Sequence, residues 1–365
     1  MKNTFGNSIL VTIFGESHGE AIGAVIDGLC PGIEIDNSVI SAQLTKRRPS
    51  TIADTKRQEK DNYKIVSGVF EGKATGTPLT IIIPNEDTRS GDYQRNIARP
   101  SHADYTAYEK YHGYEDYRGG GHFSGRITAA LVAVGGILIP ALNKLGIKIG
   151  THVLECAGIK DREFENVEND LEIIKDKNFP TLNSVDLEMM AEIDKARMEG
   201  DSVGGILQSA IIGMPAGVGE PWFDSVESVI SHILFSVGGV KGVEFGRGFD
   251  LTRMRGSQAN DPLYIENGKI KTKTNNNGGI NGGITNSMPI IVKCAIKPTP
   301  SIAKAQDSVD IVNNKNATLE IKGRHDPAIV RRASVVVDSV LAIAVADMLA
   351  CRYGTDVFLR GIPKD

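Results

Sequence analysis

Two stretches limit what this chain can fold into. Residues 124–146, SGRITAALVAVGGILIPALNKLG, and 326–354, DPAIVRRASVVVDSVLAIAVADMLACRYG, read as long helices that are apolar around most of their circumference. Such a helix has no face to give to water and must be covered on nearly every side. Gly135-Gly136 and Pro140 are expected to weaken or kink the first of them. What covers the helices follows from the segments between. Short apolar runs near 8–14 and 21–27, then YKIVSGVFEG and PLTIIIPN, read as strands of hairpins or a meander, and strands return at 147–156, 203–213 and in MPIIVKCAIK. EIDNSVISAQLTKRR reads as a helix capped by Asp36 or Asn37 and ending in cations, and DSVESVISHILFSV as an amphipathic one. The charged stretch 160–200 reads as a surface excursion with helices. Helices among meandering strands make the fold class α+β, with the long core helices packed between antiparallel sheets. No repeat and no linker divides the 365 residues, which read as one domain.

Composition narrows the function classes. A net charge of -4 gives no general attraction to nucleic acid or to a membrane surface, so any anion site must be built locally. No run of about 18 apolar residues is expected to span a membrane, and MKNTFGNS has no apolar signal core. Cys30, Cys156, Cys294 and Cys351 are far apart, which suits a reducing cytoplasm better than a disulfide framework or a zinc site.

TIFGESHGEAIG, residues 12–23, fits the G-x-S-x-G pattern of a hydrolase elbow, with Ser17 as nucleophile. An elbow must be followed by a helix, whereas EAIGAVIDG alternates like a strand, so a plain glycine turn starts as the better reading. The polar inventory shifts the balance. TKRRP brings Lys46, Arg47 and Arg48 together, with Lys56 and Arg57 one loop on. ARPSHADY joins Arg99 to His102 and Asp104, YRGGGHFSGR ends in Ser124 and Arg126, KPTPS spans 297–301, and GRHDP holds Arg324 and Asp326. Arginine forks bind phosphate and carboxylate bidentately, and glycine amides can face an anion, so together these are parts for a polyanionic ligand. His18, His102, His112 and His122 show no H-x-x-x-H or H-E-x-x-H spacing, and no metal is expected.

In this order the motifs resemble the chorismate synthase family: FGESHG, DGLCPGI, TKRRP, SGVFEGKATGTPL, RPSHADYTAYEKY, DYRGGGHFSGR, GMPAGVGEPWFDSVES, VKGVEFGRGF, NNGGINGGI, KPTPS and GRHDP. The resemblance implies a β-α-β sandwich, a homotetramer, and reduced flavin mononucleotide (FMN) as cofactor. It implies conversion of 5-enolpyruvylshikimate 3-phosphate to chorismate and phosphate, the last step of the shikimate pathway. By it His18 is a general acid near the substrate phosphate, His102 manages a proton at the flavin, and Asp326 is the base. Arg47, Arg48, Arg99, Arg126 and Arg324 hold the substrate, with Arg57 a further cation. Flavin contacts fall on His122, Phe123, Ser124, Gly238, Gly239, Gly282, Lys297, Pro298, Thr299, Pro300, Ser301 and Arg324. Arg47 also stands where the family has an NADP contact, though no dinucleotide fingerprint follows a strand, so NADPH or a separate flavin reductase supplies the electrons. The chain departs from the family pattern at Ala53, Ser101, His122-Phe123 and Asp338. Beside this stand two alternatives, a serine hydrolase using Ser17 and a flavin-binding module without turnover.

Overall fold

A computed structural model of the chain describes residues 2–50, 54, 59–88, 95–321 and 326–363. Ala53, Lys56, Arg57 and Arg324 lie outside the described residues. Two five-stranded sheets form the outer layers. The first holds β1 (Thr4–Phe5), β2 (Leu10–Gly15), β3 (Ala21–Asp27), β4 (Lys64–Ser67) and β5 (Leu79–Pro84), in the order β1-β2-β3-β5-β4. The second holds β6 (Lys148–Cys156), β7 (Ile159–Lys160), β8 (Gly205–Ile212), β9 (Val240–Phe245) and β10 (Ile290–Ile296), in the order β9-β10-β8-β6-β7. Every pairing in both sheets is antiparallel.

Between the sheets lie α1 (Asn37–Arg47), α3 (Thr128–Lys144), α6 (Val226–Ser236) and α7 (Val330–Tyr353). On the outside run α2 (Asp104–Tyr111), α4 (Val167–Ile174) and α5 (Asp186–Met198). The strand alternation decides which side faces inward. Leu79, Ile81 and Ile83 of β5 and Ile22, Ala24 and Ile26 of β3 are buried toward α3, while α7 covers β6 and β8. The two sheets and the helix layer share one cluster of buried apolar side chains, from Ile9 to Val357. The expected α+β sandwich is the observed one.

Three details bear on the sequence expectations. Asp36 alone is the N-cap of α1, its carboxylate accepting from Ser38 N at 2.8 Å. The helix α3 runs from Thr128 to Lys144 with Gly135, Gly136 and Pro140 inside it. The glycines serve helix packing: a Cβ on Gly135 would lie 2.4 Å from Ser339 Oγ on α7. Finally, α3 with its leading turn and α7 are both long and apolar enough to cross a membrane by length and composition. Their most apolar windows are 78% and 89% buried inside this protein, so the sheets supply the cover that lipid otherwise would.

Candidate active site

The ends of the core helices meet around a cavity of about 530 Å³, a size that encloses a small ligand. Arg47 and Arg48 reach it from the C-terminus of α1, Ser124 to Thr128 from the N-terminus of α3, and Asp326, Ile329 and Arg332 from the start of α7. The turn after α6, residues 237–241, and the loop after β10, residues 297–301, close the other side.

His18 stands on the turn between β2 and β3 and is 8% exposed. Its Nδ1 lies 3.1 Å from Ser17 Oγ, and that hydroxyl donates its one proton to the Arg118 carbonyl at 3.2 Å. With the hydroxyl proton on that carbonyl, the imidazole donates from Nδ1, and Nε2 is left as the nitrogen free for proton transfer. This removes the basis of the hydrolase reading. A nucleophilic serine gives its proton to the histidine and stands exposed, whereas Ser17 is fully buried and β3, not a helix, follows it.

His102 is held in the same manner by a different partner. Its Nδ1 donates to Asp104 Oδ1 at 2.7 Å, and Arg99 grips the same carboxylate from Nε at 2.8 Å and Nη2 at 2.7 Å. Burial alone would raise the Asp104 carboxyl, but the Arg99 and His102 hydrogen bonds outweigh it and hold it well below the usual carboxylate range. The triple glycine then explains itself. A Cβ on Gly119 would lie 2.2 Å from His18 Cε1, and one on Gly120 would lie 3.0 Å from His102 Cε1. Both glycines have positive φ, +61 and +89. These residues let the backbone lie against both imidazoles, where the sequence reading gave them an anion to face.

The arginines are wired into the frame. Arg47 donates from Nε to Thr128 Oγ1 at 2.9 Å and from Nη2 to the Gly125 carbonyl at 2.7 Å, tying α1 to α3. Burial pushes its guanidinium down to about 9, with Asp61 opposing and Arg332 and Arg126 adding to the fall. Arg126 donates from Nε to Asn85 Oδ1 at 2.9 Å and pairs with Asp61. Arg332 donates to the Arg47 carbonyl at 2.9 Å and to Asp326 Oδ2 at 2.7 Å, so Asp326 is held at the cavity by an ion pair. Sequence reasoning missed Arg332, Asp61 and the buried Arg331, which bonds Asp54 and the Arg48 carbonyl. The doublet Arg331-Arg332 at the start of an otherwise apolar helix was the available signal.

The opposite side is apolar and open. Phe235, Val237, Ile329, Ala333 and Val336 line it with Gly238, Gly239 and residues 297–301. Lys297 N bonds the Gly239 carbonyl at 2.9 Å, joining the two loops, and Lys297 Nζ donates to the Ser101 carbonyl at 2.5 Å. Burial lowers the Lys297 ammonium from its ordinary value, and Lys241 adds to the fall.

The family model described as chorismate synthase matches residues 9–350. This chain belongs to the chorismate synthase family. It is 43% identical to the chorismate synthase of Korarchaeum cryptofilum, over 94% of this chain and 96% of the relative. It is 42% identical to that of Thermococcus kodakarensis, over 97% and 99%. A solved chorismate synthase crystal structure superposes with a TM-score of 0.76 at 30% identity, over 96% of this chain and 94% of that one. Among the residues expected for a chorismate synthase site, His18, Arg47, Arg48, Arg99, His102, Phe123, Ser124, Arg126, Gly238, Gly239, Lys297 to Ser301 and Asp326 all border the cavity. Two do not. His122 donates from Nδ1 to the Gly15 carbonyl at 2.8 Å and braces the β2 turn instead. Gly282 lies in an exposed hairpin turn between Ile280–Asn281 and Ile284–Thr285, away from the cavity lining. Asp338, a departure from the family pattern, is also elsewhere: burial raises its carboxyl to about 6.

Proposed function

We propose that this chain is a reduced-FMN-dependent chorismate synthase, a lyase that eliminates phosphate from 5-enolpyruvylshikimate 3-phosphate in an anti 1,4 sense. The observation that carries the reading is that His18 and His102 border one arginine-lined cavity, each with Nδ1 engaged so that Nε2 carries the exchangeable proton.

The residues present fit a flavin. Thr299 Oγ1 is buried with no hydrogen-bond partner among the described residues, and a buried hydroxyl in that state lacks an acceptor or donor that a ligand can supply. Beside it lie an apolar wall, the Gly238-Gly239 turn and the Lys297 ammonium. Phe123, Ser124, Gly238, Gly239 and residues 297–301 would hold the cofactor. When bound, reduced flavin lends electron density to the substrate and recovers it, with no net redox change.

The chain's own groups do the rest. Arg48, Arg99, Arg126 and Arg47 offset the charge of a phosphate and two carboxylates. His18, protonated at Nε2, gives its proton to the departing phosphate as the carbon–oxygen bond breaks. Asp326 takes up the proton lost from the ring, and Arg332 fixes its carboxylate in place. His102 holds a proton at Nε2 for the flavin, oriented by Asp104. The dense packing of α1, α3 and α7 around these groups excludes water from them.

The finer assignments belong to the same proposal. The exposed Trp222, Phe223 and Phe249 support assembly into a homotetramer, and four free cysteines support a cytoplasmic setting. NADPH or a separate flavin reductase supplies the electrons from outside. An anaerobic assay tests the whole reading: phosphate is released from the substrate with chemically reduced FMN and not with oxidised FMN. Equal release with oxidised FMN overturns it.

A further inference from the structure

Asp61 has no part in the scheme above, yet its side chain is 1% exposed at the centre of the arginine cluster. Its Oδ1 pairs with Arg126 Nη1, and its Oδ2 lies 3.6 Å from Arg47 Nη1 and 3.8 Å from Arg48 Nε. Neither Oδ2 nor the buried Arg48 Nε makes a hydrogen bond among the described residues. Three guanidinium groups thus surround one carboxylate that satisfies only one of them well. Each guanidinium offers five donors, whereas a carboxylate has two oxygens and a phosphoryl group has three terminal ones. The backbone adds a second sign. Asp61 has φ +51, a left-handed conformation uncommon outside glycine and small polar residues. Its neighbours fix that conformation: Glu59 accepts from Glu86 N at 3.0 Å and Asp87 N at 3.3 Å, and Tyr63 donates to Asn37 Oδ1 at 2.8 Å.

We propose that Asp61 is a tethered stand-in for an anionic ligand group: it sits in the Arg47–Arg48–Arg126 seat in the free protein and yields that seat to a phosphoryl group. The cation cluster is thereby kept in order and neutralised until a better acceptor arrives. The site discriminates by the same means, because a ligand must offer more than a carboxylate does to displace Asp61. A tethered competitor scales the apparent affinity by the fraction of time it leaves the seat free. The proposal rests on the reading of the cavity as an anion site.

The test is calorimetric titration of the full chain with inorganic phosphate, comparing the wild type with Asp61→Asn and Asp61→Gly. Asn tolerates the left-handed backbone and Gly relieves it, so both variants are expected to unfold cooperatively, which a thermal melt checks. Both should bind phosphate at least about tenfold more tightly than the wild type. Affinity equal to or weaker than wild type in both folded variants overturns the proposal and makes Asp61 an organiser of the arginines only. No phosphate binding by any of the three proteins overturns the anion-site reading as well.

Discussion

The cavity has two walls built on different principles. On the side of the first sheet, most catalytic and cationic groups already have a partner inside the protein. His18 is tied to Ser17, His102 to Asp104, Arg99 to Asp104, Arg126 to Asp61 and Arg332 to Asp326. On the side of the second sheet, residues 235–241 and 297–301 present apolar surface, a glycine turn and the Thr299 hydroxyl, which has no hydrogen-bond partner among the described residues. The first wall fixes protons and charges before any ligand arrives, which is what acid–base chemistry requires. The second leaves contacts to be completed by a bound body. Proton chemistry and cofactor binding are thus expected to fail separately.

His18→Ala should break the first wall most severely, lowering kcat roughly 10²–10⁴-fold while reduced FMN still binds, as measured by anaerobic turnover and flavin titration. Asp326→Asn should fall in the same range. Gly119→Ala is the finer test of the same wall. It leaves every catalytic side chain chemically unchanged but pushes a methyl into the imidazole from a positive-φ position. A loss of about 100-fold in kcat is expected from the displaced ring, and an unchanged kcat would show that the ring does not need its position. Phosphate affinity should be full near pH 7 and fall as pH rises through about 9, because burial has lowered Arg47 to about 9 and has also lowered Lys297. Each cation that deprotonates contributes a slope of up to about tenfold per pH unit. Affinity that stays flat from pH 7 to 11 would remove Arg47 from the anion site. Thr299→Val should have the smallest effect, weakening FMN about five- to tenfold with kcat unchanged at saturation, the worth of one hydrogen bond.

The fold was legible because its strongest signals are apolar and periodic. Leu79, Ile81 and Ile83 alternate as a half-buried strand must, and α7 is apolar over more turns than any surface helix can be. What the sequence hid are elements without such a signal. The hairpin Leu263–Glu266 and Lys269–Thr272 carries Leu263, Ile265 and Ile270 exposed, so no buried face marks it. The hairpin Gln306–Asp310 and Lys315–Leu319 is polar throughout most of its length, and β9 is short and contains Gly242. In the site, motifs pointed to His18, His102 and the arginines, but pairings between distant segments cannot be read from spacing. Asp61 meets Arg126 across 65 residues, and Arg332 meets the Arg47 carbonyl across 285. Nor does spacing show that Gly119 and Phe123 line the cavity while the His122 ring between them turns back to Gly15.

A double-mutant cycle tests the division of the cavity most directly. Single-turnover rate and FMN affinity would be measured for His18→Ala, Thr299→Val and the pair, under anaerobic conditions with reduced FMN. Independent walls predict that the effects add within about 0.5 kcal/mol, with the rate loss following His18 and the affinity loss following Thr299. A coupling energy above about 1 kcal/mol, or a rate loss in Thr299→Val at saturating FMN as large as that in His18→Ala, would contradict the account.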